Sequence, residues 1–211
     1  QIYDRLLKKN PEDSVLNLER AITLQKLGRN DSALKAYDKV LDIDPKNYKA
    51  RVNMLILVRN RYPSVALQKM LELYDENPDI PNLSAQIGVT YAETGNFDQA
   101  MHYLGMAISQ NPNNPSHQFN MAIIHDKKGL FKEAVSFYEK ALELDAVAIS
   151  GNKIPRDQIY DRLSVLRDRT WLMLFSPILF DIQALDHYEA GVVYFLFFVI
   201  GLCLGSFTSV I

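Results

Sequence analysis

Over the first 146 positions, apolar residues return every three or four places in runs of about a dozen, separated by short polar stretches rich in Asn, Asp, Gly and Pro. That spacing puts the apolar positions on one face of a helix. It predicts helices in pairs, the first members at 14–27, 48–61, 81–94 and 115–128 and the second members at 31–44, 64–76, 98–111 and 132–145. In the first pair, Leu24 and Leu27 continue a face begun by Leu16 and Ile22. Asn30-Asp31 is expected to cap the helix that carries Ala33, Tyr37 and Val40.

The pairs share a register. Pro11, Pro45, Pro78 and Pro112 are separated by 34, 33 and 34 residues, and self-similarity at a fixed period of this size marks a stacked array. Within the period, Gly28, Gly95 and Gly129 share one phase; Ala33, Ala66, Ala100 and Ala134 a second; Tyr37, Met70, Leu104 and Tyr138 a third. The small residues let paired helices approach closely, the large ones fill the space beside them, and the glycines allow a left-handed turn at the end of each first helix. The second copy departs from the pattern: Tyr62-Pro63 stands where the glycine turn belongs, and the copy is one residue short, so a bent or shortened turn is expected there. The pattern resembles the tetratricopeptide repeat, a helix-turn-helix unit. That resemblance implies an all-α solenoid in which consecutive first helices line a concave surface.

The expected organisation is a partial repeat at 1–13, four repeats over 14–146, a loop and capping helix at 147–169, an apolar segment at 170–189 and a transmembrane helix at 190–211. Gln158–Leu163 repeats Gln1–Leu6 residue for residue, so the capping helix reads as the surviving second helix of a partial fifth repeat. Residues 171–180 are apolar but interrupted by Ser176-Pro177, too short to span a bilayer; they fit an interfacial helix or one packed on the last repeat. The twenty residues from Val192 to Ile211 carry no charge. As a helix they reach about 30 Å, the thickness of the hydrocarbon core. Gln1–Asn10 resembles a second helix without its first, and no polar flank follows the apolar run, so the natural protein is expected to extend at both ends.

Composition changes this picture little. A net charge of −2 and a pI near 6.1 do not favour a nucleic-acid partner, and with Cys203 alone neither an internal disulfide nor a cysteine-based zinc site forms. No cofactor is implied. His102, His117 and His125 lie on repeat helices without ligand-like companions, His187 sits among acids, and no catalytic motif occurs.

The candidate binding residues lie on the first helices. Their sixth positions carry Glu19, Asn53, Gln86 and Asn120, one per repeat. A carboxamide both donates and accepts, so a row of them suits the backbone of an extended peptide; the alternative is that these are solvated consensus amides. The row resembles the asparagine ladder in the repeats of O-linked N-acetylglucosamine transferase, carried over to Asn53, Asn120 and Gln86, with Glu19 departing. Val52, Ile56, Val89, Phe119 and Ile123 are expected to supply apolar pockets, and Lys49 and Arg59 to meet an acidic partner. Only Lys49 and Asn53 match the carboxylate clamp of chaperone-binding repeats, which argues against that ligand.

In the C-terminal stretch, Gly201 and Gly205 form a smooth strip, with Ser206 beside it, suited to contact with another membrane helix. Gly201, Gly205, Ser206, Phe207 and Val210 also resemble the first membrane helix of type IV prepilin peptidases. That resemblance implies the N-terminal portion of a membrane aspartic protease of the bacterial inner membrane, with the repeats on the external face recruiting pilus or secretion components. Its catalytic aspartates are not in this chain. The arginines at 156, 162, 167 and 169 favour the opposite orientation. Two functions are therefore expected in competition: a membrane-tethered scaffold that binds a protein or peptide, and the front part of such a protease.

Overall fold

The computed structural model describes residues 2–148 and 154–167. The chain divides into two units, Gln1–Arg156 and Asp157–Ile211. In the first, α1 (Ile2–Leu7) is followed by four helix pairs: α2 (Ser14–Lys26) with α3 (Asn30–Ile43), α4 (Tyr48–Arg59) with α5 (Pro63–Glu76), α6 (Leu83–Glu93) with α7 (Phe97–Gln110), and α8 (Pro115–Lys127) with α9 (Phe131–Ala146). In the second unit residues 157–167 are helical, with Ile159, Leu163 and Leu166 buried. The expected transmembrane helix, the segment 170–189 and the strip Gly201, Gly205, Ser206 lie outside the described residues. Among the described residues no helix is long and apolar enough to cross a membrane.

The predicted phases are the packing phases. Ala33, Ala66, Ala100 and Ala134 are fully buried on the second helices, and Tyr37, Met70, Leu104 and Tyr138 are buried beside them. Opposite the alanines, the first helices present Ala21, Gly88 and Ala122 at one register, all buried. At Gly88 the approach is close enough that a Cβ would stand 2.8 Å from Leu104 Cγ and 3.1 Å from the Ala100 carbonyl oxygen. The second pair breaks this rule. Its residue at the register is Leu55, half-buried, and α4 packs on α5 less extensively than the other first helices pack on their partners. A butyl side chain between two backbones holds them apart.

The turns divide the same way. In copies one, three and four a glycine with φ of 70°, 81° or 75° ends the first helix, and the next residue donates to a carbonyl five places back: Arg29 to Leu24, Asn96 to Tyr91 and Leu130 to His125, each at 2.9 Å. This is a Schellman closure. In copy two α4 ends at Asn60 in the right-handed region, and Tyr62 N–H donates to Val58. Pro63 then opens α5, where its missing N–H costs nothing. The Asn30-Asp31 cap does not form: Asn30 is already helical, and Arg29 at the cap position makes no side-chain bond. The cap position falls one residue earlier than expected, directly after the glycine; in copy three that position is Asn96, which accepts from Gln99 N–H at 3.3 Å.

One register decides where the first helices begin. Asp13, Asn47 and Asn114 share it, and each caps its helix by accepting from a backbone N–H, of Leu16, Ala50 and Ser116 respectively. In copy three the position is Ile80, which cannot cap and is buried instead among Leu83, Ile87 and Met70. The chain then makes a type II turn: Pro81 follows Ile80, Asn82 takes φ 63° and ψ 1°, and Leu83 N–H returns to the Ile80 carbonyl at 3.2 Å. Helix α6 therefore starts at Leu83 rather than at the expected residue 81.

Candidate functional site

The late start of α6 leaves a notch between its neighbours, and a cleft of about 510 Å³ occupies it. From α4 come Lys49, Val52, Asn53 and Ile56. The turn and α6 contribute Ile80, Pro81, Asn82, Ala85 and Gln86, and the start of α8 contributes Asn114, Ser116, His117 and Asn120. Among the described residues Lys49 is the one charged residue on this wall, and no Asp or Glu lines it.

Of the residues expected at the groove, six meet here: Lys49, Val52, Asn53, Ile56, Gln86 and Asn120. The others sit elsewhere. Phe119 turns toward its own second helix, its ring 6.1 Å from that of Tyr138, while Val89 and Ile123 are half-buried outside the cleft. Arg59 is committed internally: Nη1 donates to Gln86 Oε1 at 3.0 Å and Nε lies 3.1 Å from Glu93 Oε2. It is not available to an acidic partner in this state.

The three amides are not equivalent. Asn53 lies beside the buried Tyr37 hydroxyl; burial pushes that phenol up to about 12, and the Asn53 amide opposes the shift. The hydroxyl itself donates to Gln25 Oε1 at 2.6 Å. Gln86 has its oxygen occupied by Arg59 and keeps its N–H groups for a ligand. Asn120 is half-buried in the cleft with no protein partner among the described residues. Lys49 Nζ lies 3.7 Å from Glu19 Oε1, an exposed pair that yields easily to another acid.

His117 is a lining residue that the pattern of the sequence does not single out. It occupies the register of Ala50 and Leu83, a core position, and is 4% exposed. Its Nε2 faces Asn114 Nδ2 at 3.1 Å, and its Nδ1 is buried without a hydrogen bond. Burial pushes the imidazole below its ordinary 6.5, against the pull of the Ala107 and Asn111 carbonyls. Ile80, Pro81 and Asn82, also unexpected in the lining, carried a legible signal, an aliphatic residue at a capping register. Elsewhere, His102 packs edge-on against Tyr103, and His125 Nδ1 lies 3.0 Å from the Met121 carbonyl oxygen. Among the described residues no cluster of His, Cys, Asp or Glu could hold a metal.

Family models described as tetratricopeptide repeat match residues 15–47 and 86–149. These segments are tetratricopeptide repeats. The chain is 27% identical over 152 residues to the "Protein CTR9 homolog" of Arabidopsis thaliana, covering 68% of this chain and 14% of that protein. It is 28% identical over 159 residues to "TPR repeat-containing protein MJ1428" of Methanocaldococcus jannaschii, covering 72% and 27%. The chain thus spans about a quarter or less of these curated relatives. Among solved structures, TTC0263, a thermophilic TPR protein of Thermus thermophilus, superposes with a TM-score of 0.63 at 23% identity, over 78% of this chain and 86% of that one. The fold is an all-helical TPR solenoid. Residues 48–85, between the two matched segments, hold Leu55, Tyr62-Pro63 and the Ile80-Pro81-Asn82 turn, and they supply most of the cleft.

Proposed function

We propose that the protein is an interaction scaffold that takes an extended segment of a partner protein into the cleft between α4, α6 and α8. TPR domains typically bind proteins, and the observation that carries the reading here is the meeting of Asn53, Gln86 and Asn120 along one acid-free wall beside Val52, Ile56, Ile80 and Ala85. An extended chain needs both features: polar groups for its backbone and an apolar surface for alternate side chains. The uncharged run from Val192 to Ile211 adds a tether, which would hold the bound partner at high local concentration beside a membrane. Neither the matched family models nor the relatives above support a prepilin-peptidase-like enzyme.

Replacing Asn120 and Asn53 together by Ala should weaken binding of a partner segment at least tenfold while helical content stays unchanged by circular dichroism. Because Asn53 also lies beside the buried Tyr37 hydroxyl, Asn120→Ala alone serves as the control that leaves the core intact. Unaltered affinity in both variants would refute the cleft. Retention in the membrane fraction after alkaline carbonate tests the tether; release into the supernatant contradicts it.

A further inference from the structure

We infer that the edge of the solenoid formed by the turns inside the repeats docks on an anionic lipid bilayer. The inference deepens the tether reading above, on which it rests for the choice of lipid as partner. The turns 26–31, 59–64, 93–98 and 127–132 stand at one register. Ion pairs between neighbouring turns, Arg59 with Glu93 and Lys128 with Asp98, place them in succession along one edge. The segments that join one repeat to the next, at 8–13, 42–47, 75–80, 109–114 and 143–148, form the other edge, where Gln110 Nε2 donates to the Pro78 carbonyl at 3.5 Å.

The net charge of −2 conceals a separation of sign between these edges. The four turns carry seven Lys or Arg and three Asp or Glu, whereas the five joining segments carry three and nine. With the two ion pairs set aside, the first edge keeps Lys26, Arg29, Arg61, Lys127 and Lys132 against Asp31, all six exposed. Lys26 and Lys127 suit the C-terminal ends of α2 and α8. Arg29, Arg61 and Lys132 stand instead at or just before the first turns of α3, α5 and α9, where the helix dipole opposes a cation. Helix stability therefore does not account for them.

The same turns expose apolar side chains. Leu27 is 67% exposed, Tyr62 53% and Leu130 39%, each within two residues of a cation, and the Arg61 guanidinium lies over the Tyr62 ring at 5.5 Å. Among the described residues the other edge exposes one large apolar side chain, Val147. Cations that meet headgroup phosphates, set among an amphipathic ring and leucines that enter the interface, are the chemistry of peripheral lipid binding. The tether favours a bilayer over an acidic protein as the occupant. The uncharged run begins at Val192, 25 positions after Arg167, and keeps lipid beside this domain.

The test places a single fluorophore on either edge of the full chain, by Tyr62→Trp or Val147→Trp in a Trp171→Phe background. Each variant is diluted from mild detergent into vesicles of phosphatidylcholine, alone or mixed with phosphatidylglycerol, with brominated acyl chains as quenchers, and recovered by flotation. The inference predicts quenching of Tyr62→Trp at least twofold greater in anionic than in neutral vesicles, and no such difference for Val147→Trp. The excess should vanish at about 1 M salt, where the Debye length is about 3 Å, and in Arg29→Glu with Lys132→Glu. Those reversals put acids at the N-termini of α3 and α9, which the dipole favours, so the fold survives them. Flotation with both vesicles but equal quenching of Tyr62→Trp overturns the inference while the tether stands. Flotation with anionic vesicles alone, with the excess quenching, supports the edge and contradicts the tether. Flotation with neither, or with anionic vesicles alone and without that excess, overturns both. Emission of Tyr62→Trp that ignores both lipids and shifts with polyglutamate makes an acidic polypeptide the occupant and overturns the inference.

Discussion

Residues 48–85 and residues 86–149 are built to one register, yet they solve it differently. In the later segment Gly88 and Ala122 let helix backbones touch, glycines close the first helices, and Asn114 caps α8. In the earlier one Leu55 keeps α4 off α5, Tyr62-Pro63 replaces the glycine turn, and Ile80 gives up the cap for a place in the core. The regular segment is optimised for stacking. The irregular one loses packing and the first two residues of a helix, and the cleft opens where they are lost. Copy two keeps a bidentate bond from Arg51 to Glu76, at 2.7 and 3.2 Å, that joins its looser helices, and that bond holds the Glu76 carboxyl below its ordinary range.

Exchanging residues across the register gives the largest effect. Gly88→Leu should destabilise the chain by about 3 kcal/mol, since even the first carbon would meet the backbone of α7. Leu55→Ala should cost only about 1 kcal/mol, because Leu55 is half-buried. Thermal unfolding of the two variants beside the parent measures both, and equal costs would mean that the pairs are equally tight.

A smaller effect comes from the register shared by Leu83 and His117, both buried. The folded imidazole titrates below its ordinary 6.5, so the unfolded chain binds more protons as pH falls through and below that value, and stability drops on the acid side. His117→Leu should remove that decline below about pH 6.5, and add about 1 kcal/mol at pH 7 by eliminating a buried nitrogen without a partner. Denaturation midpoints at several pH values read both changes, and an unchanged acid slope would relocate the titrating group. The smallest pair of effects lies in the turns. Gly95→Ala should cost about 1 kcal/mol for a Cβ at φ 81°, whereas Tyr62→Ala, at φ −137° and exposed, should stay within about 0.5 kcal/mol.

The period, the helix pairs and their buried phases were legible because each rests on many residues agreeing: four alanines, four large residues and three glycines at fixed offsets. What escaped depended on single positions. Helix α6 was expected at 81 because the repeat register puts a first helix there; with Ile80 instead of a capping side chain before it, Pro81 starts a turn. Phe119 sits one place from Asn120 but about 100° round the helix, which turns it to Tyr138 instead of the cleft. Arg59 looked free for a ligand because charge counts do not reveal that Glu93, one repeat away, comes within 3.1 Å. Six of ten expected groove residues nevertheless line one cleft, because the row on the first helices follows from the register alone.

The central claim is that residues 48–85 are the loosely packed unit from which the cleft is made. Hydrogen exchange on the full chain tests it most directly, since amide protection reports local opening. The account predicts that amides of α4 and α5 exchange well before those of α6 with α7 and α8 with α9. Protection of α4 and α5 equal to or greater than that of the later pairs would contradict it.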